Sequence, residues 1–357
     1  MPDIRPRPRR EAAPELVERL EAIHDWYEGM VSANTGRLVY EYDPATDEAI
    51  ANGSPIRNIA AIHDVEVVSQ FLDRESLGPV VERSLEHYGE YIIARDGALM
   101  LEPDRLGEPS GIPHSAFMIL ALAASDSPAR ETTINGLAEG ILNQQREDGS
   151  YRVFFGGHDD QGVEIYPGEA MLALLRVYET SEDPRHLISV ERAFRYYSDR
   201  FSPGEISNRL RIFFANWQSQ YGVLLHGMTD TDLVRRAVHD YLFELHDYVV
   251  DSGFYDHLDD QPDSHATVEV ASALEGINAG YTVAERINDE ARLETYGRCI
   301  RSAMHWLFDA QRHETDNPRE QGGFGHSPND RTQRIDVTGH AASGFIKAAR
   351  NGIAPSS

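Results

Sequence analysis

Carboxylates, imidazoles and phenols gather at three places in this chain, and each gathering suggests proton-transfer chemistry. The first is Glu164-Ile-Tyr166-Pro-Gly-Glu169-Ala-Met-Leu-Ala. Pro167 suits the first turn of a helix and Glu169 complements the positive end of its dipole, so the segment reads as a helix start carrying Glu164, Tyr166 and Glu169. An ordinary N-terminal helix charge is the competing account of Glu169. The preceding loop, Gln144-Gln-Arg-Glu-Asp148-Gly-Ser-Tyr151, contains an Asp-Gly turn.

The second place is Gln321-Gly-Gly-Phe324-Gly-His326, followed by Arg334-Ile-Asp336-Val-Thr-Gly-His340. A glycine-rich loop delivers an aromatic and a histidine, and the next helix opens on Arg334, Asp336 and His340. Asp336 and His340 are four apart, so the carboxylate is expected to orient the imidazole or to cap the helix. The third is Phe254-Tyr255-Asp256-His257, continuing through His265 and Glu269 to Glu275. Within it Asp259-Asp-Gln-Pro-Asp263 fits the Asp-Asp-x-x-Asp pattern that binds magnesium in helical isoprenoid synthases. Pro262 argues against that use, because the pattern needs its carboxylates on one helix face and proline breaks a helix interior. His257, His265 and Glu269 have no tight His-x-x-x-His spacing, so no metal and no cofactor is expected.

Flat rings and amides near these groups suit sugars, whose C–H faces stack on aromatics while hydroxyls take hydrogen bonds. Tyr151, Asn216, Trp217, Gln218, Tyr255, His265 and Phe324 form that expected set, with Arg57, Asn58, His63, His114 and Arg334 beside them. A core role for Trp217 is the alternative. Two chemistries are open. Glycoside cleavage needs one protonated carboxyl and a second carboxylate, for which Glu164, Glu169, Asp256 and Asp336 are candidates. Uronate epimerisation needs a base such as Tyr166 or His340, with Arg57 or Arg334 facing the substrate carboxylate.

The elements that position these residues repeat. Six segments rich in small and apolar residues begin at Arg57, His114, Tyr166, Asn216, Thr267 and Val337, spaced by 57, 52, 50, 51 and 70 residues. Between them lie more charged amphipathic stretches at roughly 14–32, 77–94, 128–146, 184–201, 230–250 and 289–312, with apolar residues at i, i+3 and i+4. Alternating β-branched runs are scarce outside Arg37 to Tyr42, which disfavours a parallel α/β sheet. Twelve alternating helices predict an all-α (α/α)6 toroid as one domain over 14–352, with a disordered lead-in at 1–13 and a flexible tail at 353–357. A ring suits inner helices that are small and apolar on both flanks, whereas an open solenoid needs polar caps.

At this point the chain resembles the six-hairpin glycosidase superfamily. The resemblance rests on the Gln…Asp-Gly turn, Tyr166-Pro-Gly-Glu169-Ala and the Leu/Tyr/Glu run to Glu179, over about 140–200, with echoes in Gly322-Gly-Phe and Arg334-Ile-Asp. It implies a helical ring with chemistry at the inner-helix starts, and a glycosidase or uronate-epimerase type of activity on an oligosaccharide or surface-glycan intermediate. A noncatalytic toroid or solenoid binding a glycan or a protein is the alternative from another class, and an isoprenoid-cyclase-like toroid a more distant one.

Composition narrows the field further. The chain has 357 residues, with 33 Lys plus Arg against 59 Asp plus Glu, a net charge of −26. No large basic face for nucleic acid is available. Lys347 is the only lysine. An acidic, arginine-only surface is expected of a protein in concentrated salt, where repulsion is screened within about 3 Å at 1 M. The opening Pro- and Arg-rich stretch is not followed by an apolar h-region, so a cytoplasmic location is expected, and no window is long and apolar enough to span a bilayer. Cys299 stands alone, which excludes an intrachain disulfide. Phosphate loops, Rossmann fingerprints and nucleophile elbows do not occur.

Overall fold

The computed structural model describes residues 12–50, 53–125, 130–157, 161–313 and 315–355, apart from the Asp259 side chain. The expected lead-in at 1–13 lies outside these residues up to position 11. Fourteen helices run through the described chain: α1 Pro14–Gly29, α2 Pro55–Leu72, α3 Gly78–Gly89, α4 Pro103–Leu106, α5 Ile112–Ala124, α6 Arg130–Leu142, α7 Tyr166–Ser181, α8 Pro184–Arg200, α9 Asn208–Met228, α10 Asp232–Asp251, α11 Phe254–Asp260, α12 Thr267–Ile287, α13 Glu290–Ala310 and α14 Ile335–Arg350. The twelve longer ones correspond to the twelve expected from periodicity. None among the described residues is long and apolar enough to cross a membrane.

The chain forms two compact groups. One comprises the segment up to Gly53, Asp64–Val80 and everything from Val249 on. In it α12 packs on both α13 and α14, and α1 packs on α14. An antiparallel four-stranded sheet, in the order β2-β1-β6-β5, joins the hairpin of β1 (Glu41–Asp43) and β2 (Glu48–Ile50) to that of β5 (Gly325–Ser327) and β6 (Asp330–Arg334). The register Glu41 opposite Arg334 sets where β6 ends and α14 begins. Arg334, the residue before α14, holds extended backbone at φ −127°.

The second group comprises Ser54–His63 and Val81–Tyr248. Here α5 packs on α6 and α7, and α7 packs on α8 and α9. α5 is apolar nearly throughout, with eleven of its residues buried, as an inner helix must be. α8 carries the opposite pattern, with one apolar face and an Arg-rich one. Gly168 lets α7 approach α9 closely: a Cβ there would sit 2.8 Å from the Cβ of Trp217 and 3.3 Å from its carbonyl oxygen.

Three local expectations are revised. The stretch 77–94 does not stay helical, since α3 ends at Gly89 and an antiparallel hairpin follows, β3 Ile92–Arg95 and β4 Ala98–Leu101. Its two-residue turn, Asp96-Gly97, has φ of 51° and 80°, the left-handed geometry this dipeptide favours. α9 starts at Asn208, eight residues before the expected Asn216, so Asn216 lies in its third turn. At the other end of the chain Ile353 is buried, and its amide donates to the carbonyl of Ala348.

Candidate functional site

The start of α14 gathers the densest set of ionisable groups in the first group. Arg334 makes two hydrogen bonds to Asp336, Nε to Oδ1 at 3.0 Å and Nη2 to Oδ2 at 2.5 Å. Asp336 is thereby held as an anion in the first turn, where the helix dipole also favours negative charge. Asp64 of α2 lies against the same turn: a Cβ on Gly339 would meet its Oδ2 at 2.2 Å, so only glycine admits this carboxylate. The Tyr27 hydroxyl donates to the carbonyl of Ile335 at 3.3 Å. Burial, then the charges of Asp64 and Asp336, push the Tyr27 phenol well above its ordinary value, so it stays protonated.

His340 is the centre of this arrangement, and the partner of its Nδ1 comes from another helix. Its Nδ1 lies 2.6 Å from Oε2 of Glu275, a buried residue of α12. The Nζ of Lys347, two turns further along α14, lies 3.3 Å from Oε1 of the same carboxylate. Burial by itself would raise the Glu275 carboxyl, and the two cations Lys347 and His340 outweigh it, holding the group well below the usual carboxylate range. Burial would likewise lower the imidazole. The Glu275 carboxylate, with Asp64 and Asp336 adding to it, pushes His340 up to about 9 instead. At neutral pH His340 is therefore an imidazolium whose Nδ1–H is committed to Glu275, and the proton it can deliver is the one on Nε2. A raised imidazole is protonated at neutral pH, whereas the expected base role for His340 calls for a neutral ring.

In the second group the start of α7 brings together Tyr166, Glu169 and Arg57. Glu169 is 4% exposed. Burial, then Glu169, raises the Tyr166 phenol against the opposing charge of Arg57. Glu164 is half-buried in the turn before the helix. His114 sits at the start of α5, where its Nδ1 accepts from the Gly111 amide at 3.2 Å and its Nε2 lies 3.0 Å from Glu108. An Nδ1 that accepts fixes the tautomer, so Nε2–H donates to the carboxylate. His114 thus caps its helix. Asn58 and His63 are half-buried on α2, and Arg57 is exposed.

Several expected substrate-binding residues lie in the core instead. Tyr151 is fully buried, its hydroxyl 2.7 Å from Ser189, and the Asp148-Gly149 loop before it is a structural connector whose Gln145 amide donates to the carbonyls of Gly149 and Ser189. The buried Tyr255 hydroxyl donates to the Ala273 carbonyl, and its neighbour Asp256 is exposed on α11. Phe324 is fully buried against Phe345. Asn216, Trp217 and Gln218 are buried in the third turn of α9, with Gln218 accepting from Tyr221 at 2.5 Å and Trp217 edge-on to Phe117. Arg334, expected for a substrate carboxylate, is engaged by Asp336. His265 is half-buried before α12 and edge-on to Phe254. For Tyr151, Tyr255, Phe324 and Trp217, burial of a large ring satisfies packing.

The acidic stretch around Pro262 behaves as the proline objection requires. α11 ends at Asp260 and Pro262 opens a separate short turn, so Asp263 is not on the helix that carries Asp260. Among the described residues the one grouping with metal-ligand spacing is His24, Asp25 and Glu28 on α1. It already has a cation, because Arg74 lies 2.7 Å from Asp25.

No protein-family profile matches the chain, and no curated protein is similar to it in sequence. Solved structures match over nearly its whole length. An unsaturated glucuronyl hydrolase specific for heparin superposes with a TM-score of 0.66 at 8% identity, over 94% of this chain and 96% of its own. A D-mannose isomerase gives 0.68 at 11% identity, over 94% and 98%. A sugar epimerase from a ruminal bacterium gives 0.65 at 11% identity, over 93% and 97%. The chain therefore has the all-α (α/α)6 toroid fold, as the repeat leads one to expect. These neighbours are enzymes that hydrolyse, isomerise or epimerise sugars, and at such identities the likeness is one of fold.

Proposed function

We propose that the chain is a carbohydrate-processing enzyme that moves protons on a neutral reducing sugar, as an isomerase or epimerase. The observation that carries this reading is the imidazolium of His340, anchored at 2.6 Å on buried Glu275 and flanked by Asp64 and Asp336. An acid and a base of different chemical type at one helix start suit proton abstraction next to a carbonyl. In the open-chain sugar, Asp64 takes the C2 proton and the C2–H pair becomes the C1=C2 bond. The carbonyl pair collects the Nε2 proton of His340, giving a neutral enediol where an enediolate would be costly. Returning that proton from Asp64 to C1, while the O2 hydroxyl proton passes to the now neutral His340, yields the ketose; after the enediol turns, returning it to the other face of C2 while the O1 proton goes back to His340 yields the epimer.

Two features weigh against the alternatives. Glycoside hydrolysis needs a carboxyl group kept protonated, whereas Glu275 is paired with two cations and Asp336 with Arg334. A uronate needs a cation facing its carboxylate, and Arg334 is already engaged. The composition, −26 with one lysine, supports work in a salt-rich cytoplasm. The test is incubation with reducing mono- and disaccharides in deuterated, oxygen-18 water at molar KCl, followed by chromatography and mass spectrometry. An isomeric product of unchanged length with carbon-bound deuterium supports the reading. Shortened products carrying the oxygen label would replace it with hydrolysis.

A further inference from the structure

Lys347 is the one lysine in a chain whose other cations are all arginine. It is not spent on the surface: its side chain is 26% exposed and its Nζ reaches Glu275 Oε1, while Oε2 of that carboxylate holds His340. We infer that Lys347 is a positioning residue, a permanent counterion that keeps Glu275 ionised so that His340 can release and recover its proton during turnover. The inference rests on the acid role of His340 proposed above.

The argument is electrostatic. A buried carboxylate without a cation is expensive. If His340 were the only partner of Glu275, losing its proton would leave that charge uncompensated, and the imidazole would hold the proton too tightly to donate it. With Lys347 in place one cation remains after the proton has left. The groups facing His340 are Glu275 on α12, Asp64 on α2, and Asp336 on α14. All three are acids and tighten the imidazole's grip on its proton, while burial and the charge of Lys347 act the other way. The choice of lysine follows from the geometry. A compact ammonium can approach Oε1 alone, whereas the guanidinium fork is matched to both oxygens of a carboxylate, and Oε2 already holds His340.

The test is the titration of His340 followed by nitrogen-15 NMR of the imidazole in the full-length protein at molar KCl, beside the pH profile of sugar turnover. In K347M the imidazole should titrate about one pH unit higher than in the wild type, a tenfold tighter proton. The alkaline limb of kcat should move with it, and kcat itself should fall. K347R, which retains the charge, should leave the imidazole near its wild-type value. An unchanged titration in folded K347M would overturn the inference. If K347M does not fold, a rise of the same size in K347R would overturn it as well. The NMR reading is independent of turnover: a shifted imidazole in a protein inactive on every sugar would keep the relay and discard the proposed function.

Discussion

Two histidines sit near the starts of two inner helices, and they do opposite things. His114 opens α5, is 4% exposed, and accepts a backbone hydrogen bond through Nδ1. His340 lies in the second turn of α14, has a side chain 23% exposed, and gives its Nδ1 proton to a carboxylate that burial makes strongly demanding. The first ring spends both nitrogens on contacts within its own helix start, the Gly111 amide and Glu108. The second is held protonated and keeps a further N–H at the helix start. Position in the fold is shared, and the partner on Nδ1 decides whether an imidazole is scaffold or reagent.

The strongest way to break that comparison is to remove each ring in turn. His340→Gln should cut sugar turnover by about 10²- to 10⁴-fold with the fold retained, as expected for loss of a general acid. His114→Ala should cost about 1 kcal/mol of stability, the usual worth of a helix cap, and change turnover only a few-fold. Steady-state kinetics and urea unfolding measure the two. Equal losses of turnover would mean that both rings serve the chemistry.

The Glu275 pair predicts how stability depends on pH. The folded value of His340 is raised, so its contribution is complete below its ordinary value of 6.5 and is lost as pH rises through about 9. The folded value of Glu275 is lowered from 4.5, so its contribution is complete above that and is lost as pH falls below it. The pair therefore stabilises most between about pH 4.5 and 6.5. Glu275→Gln leaves His340 and Lys347 facing a neutral amide, and should cost about 3–5 kcal/mol, the usual penalty for breaking a buried ion pair. It should also flatten the alkaline decline and return His340 to a neutral ring at pH 8. Denaturant midpoints across pH 4 to 10 check this, and a decline unchanged in the variant would assign it to other groups.

How much of this was legible beforehand differs between the two regions. The α7 start announced itself, because Tyr166-Pro-Gly-Glu169 lies within four residues and each member has a local reason to be at a helix N-terminus. The α14 site did not. Asp336 and His340 are close in sequence, which suggested that they pair, yet the partner of His340 is 65 residues away on another helix, and periodicity carries no information about that contact. Lys347 was visible as an oddity of composition, but only the structure gives it a partner. Aromatic residues misled in the other direction. Tyr151, Tyr255 and Phe324 stand beside turn residues, and nothing local distinguishes a ring that faces a substrate from one that fills the core. The Asp96-Gly97 hairpin was legible in principle, since Ile92 to Leu101 contains the turn dipeptide between β-compatible runs. Its helical neighbour α3 absorbed it into a longer helix.

The same contrast extends to glycine. A Cβ at Gly168 would press on the Trp217 backbone and Cβ, which belong to a packed helix and cannot give way singly. A Cβ at Gly339 would press on the Asp64 carboxylate, the far end of a side chain that can rotate. Gly168→Ala should therefore be a stability variant, costing about 1–3 kcal/mol through overpacking and leaving KM and kcat nearly intact. Gly339→Ala should cost less than that in unfolding experiments, because side-chain rotation relieves the contact. The same rotation swings the proposed base away from the C2 proton, so kcat should fall by about tenfold or more with little change in KM, as for a group displaced by about 1 Å. A Gly339→Ala enzyme with normal kcat would show that Asp64 does not take the proton, and would move that role to a carboxylate outside the α14 turn.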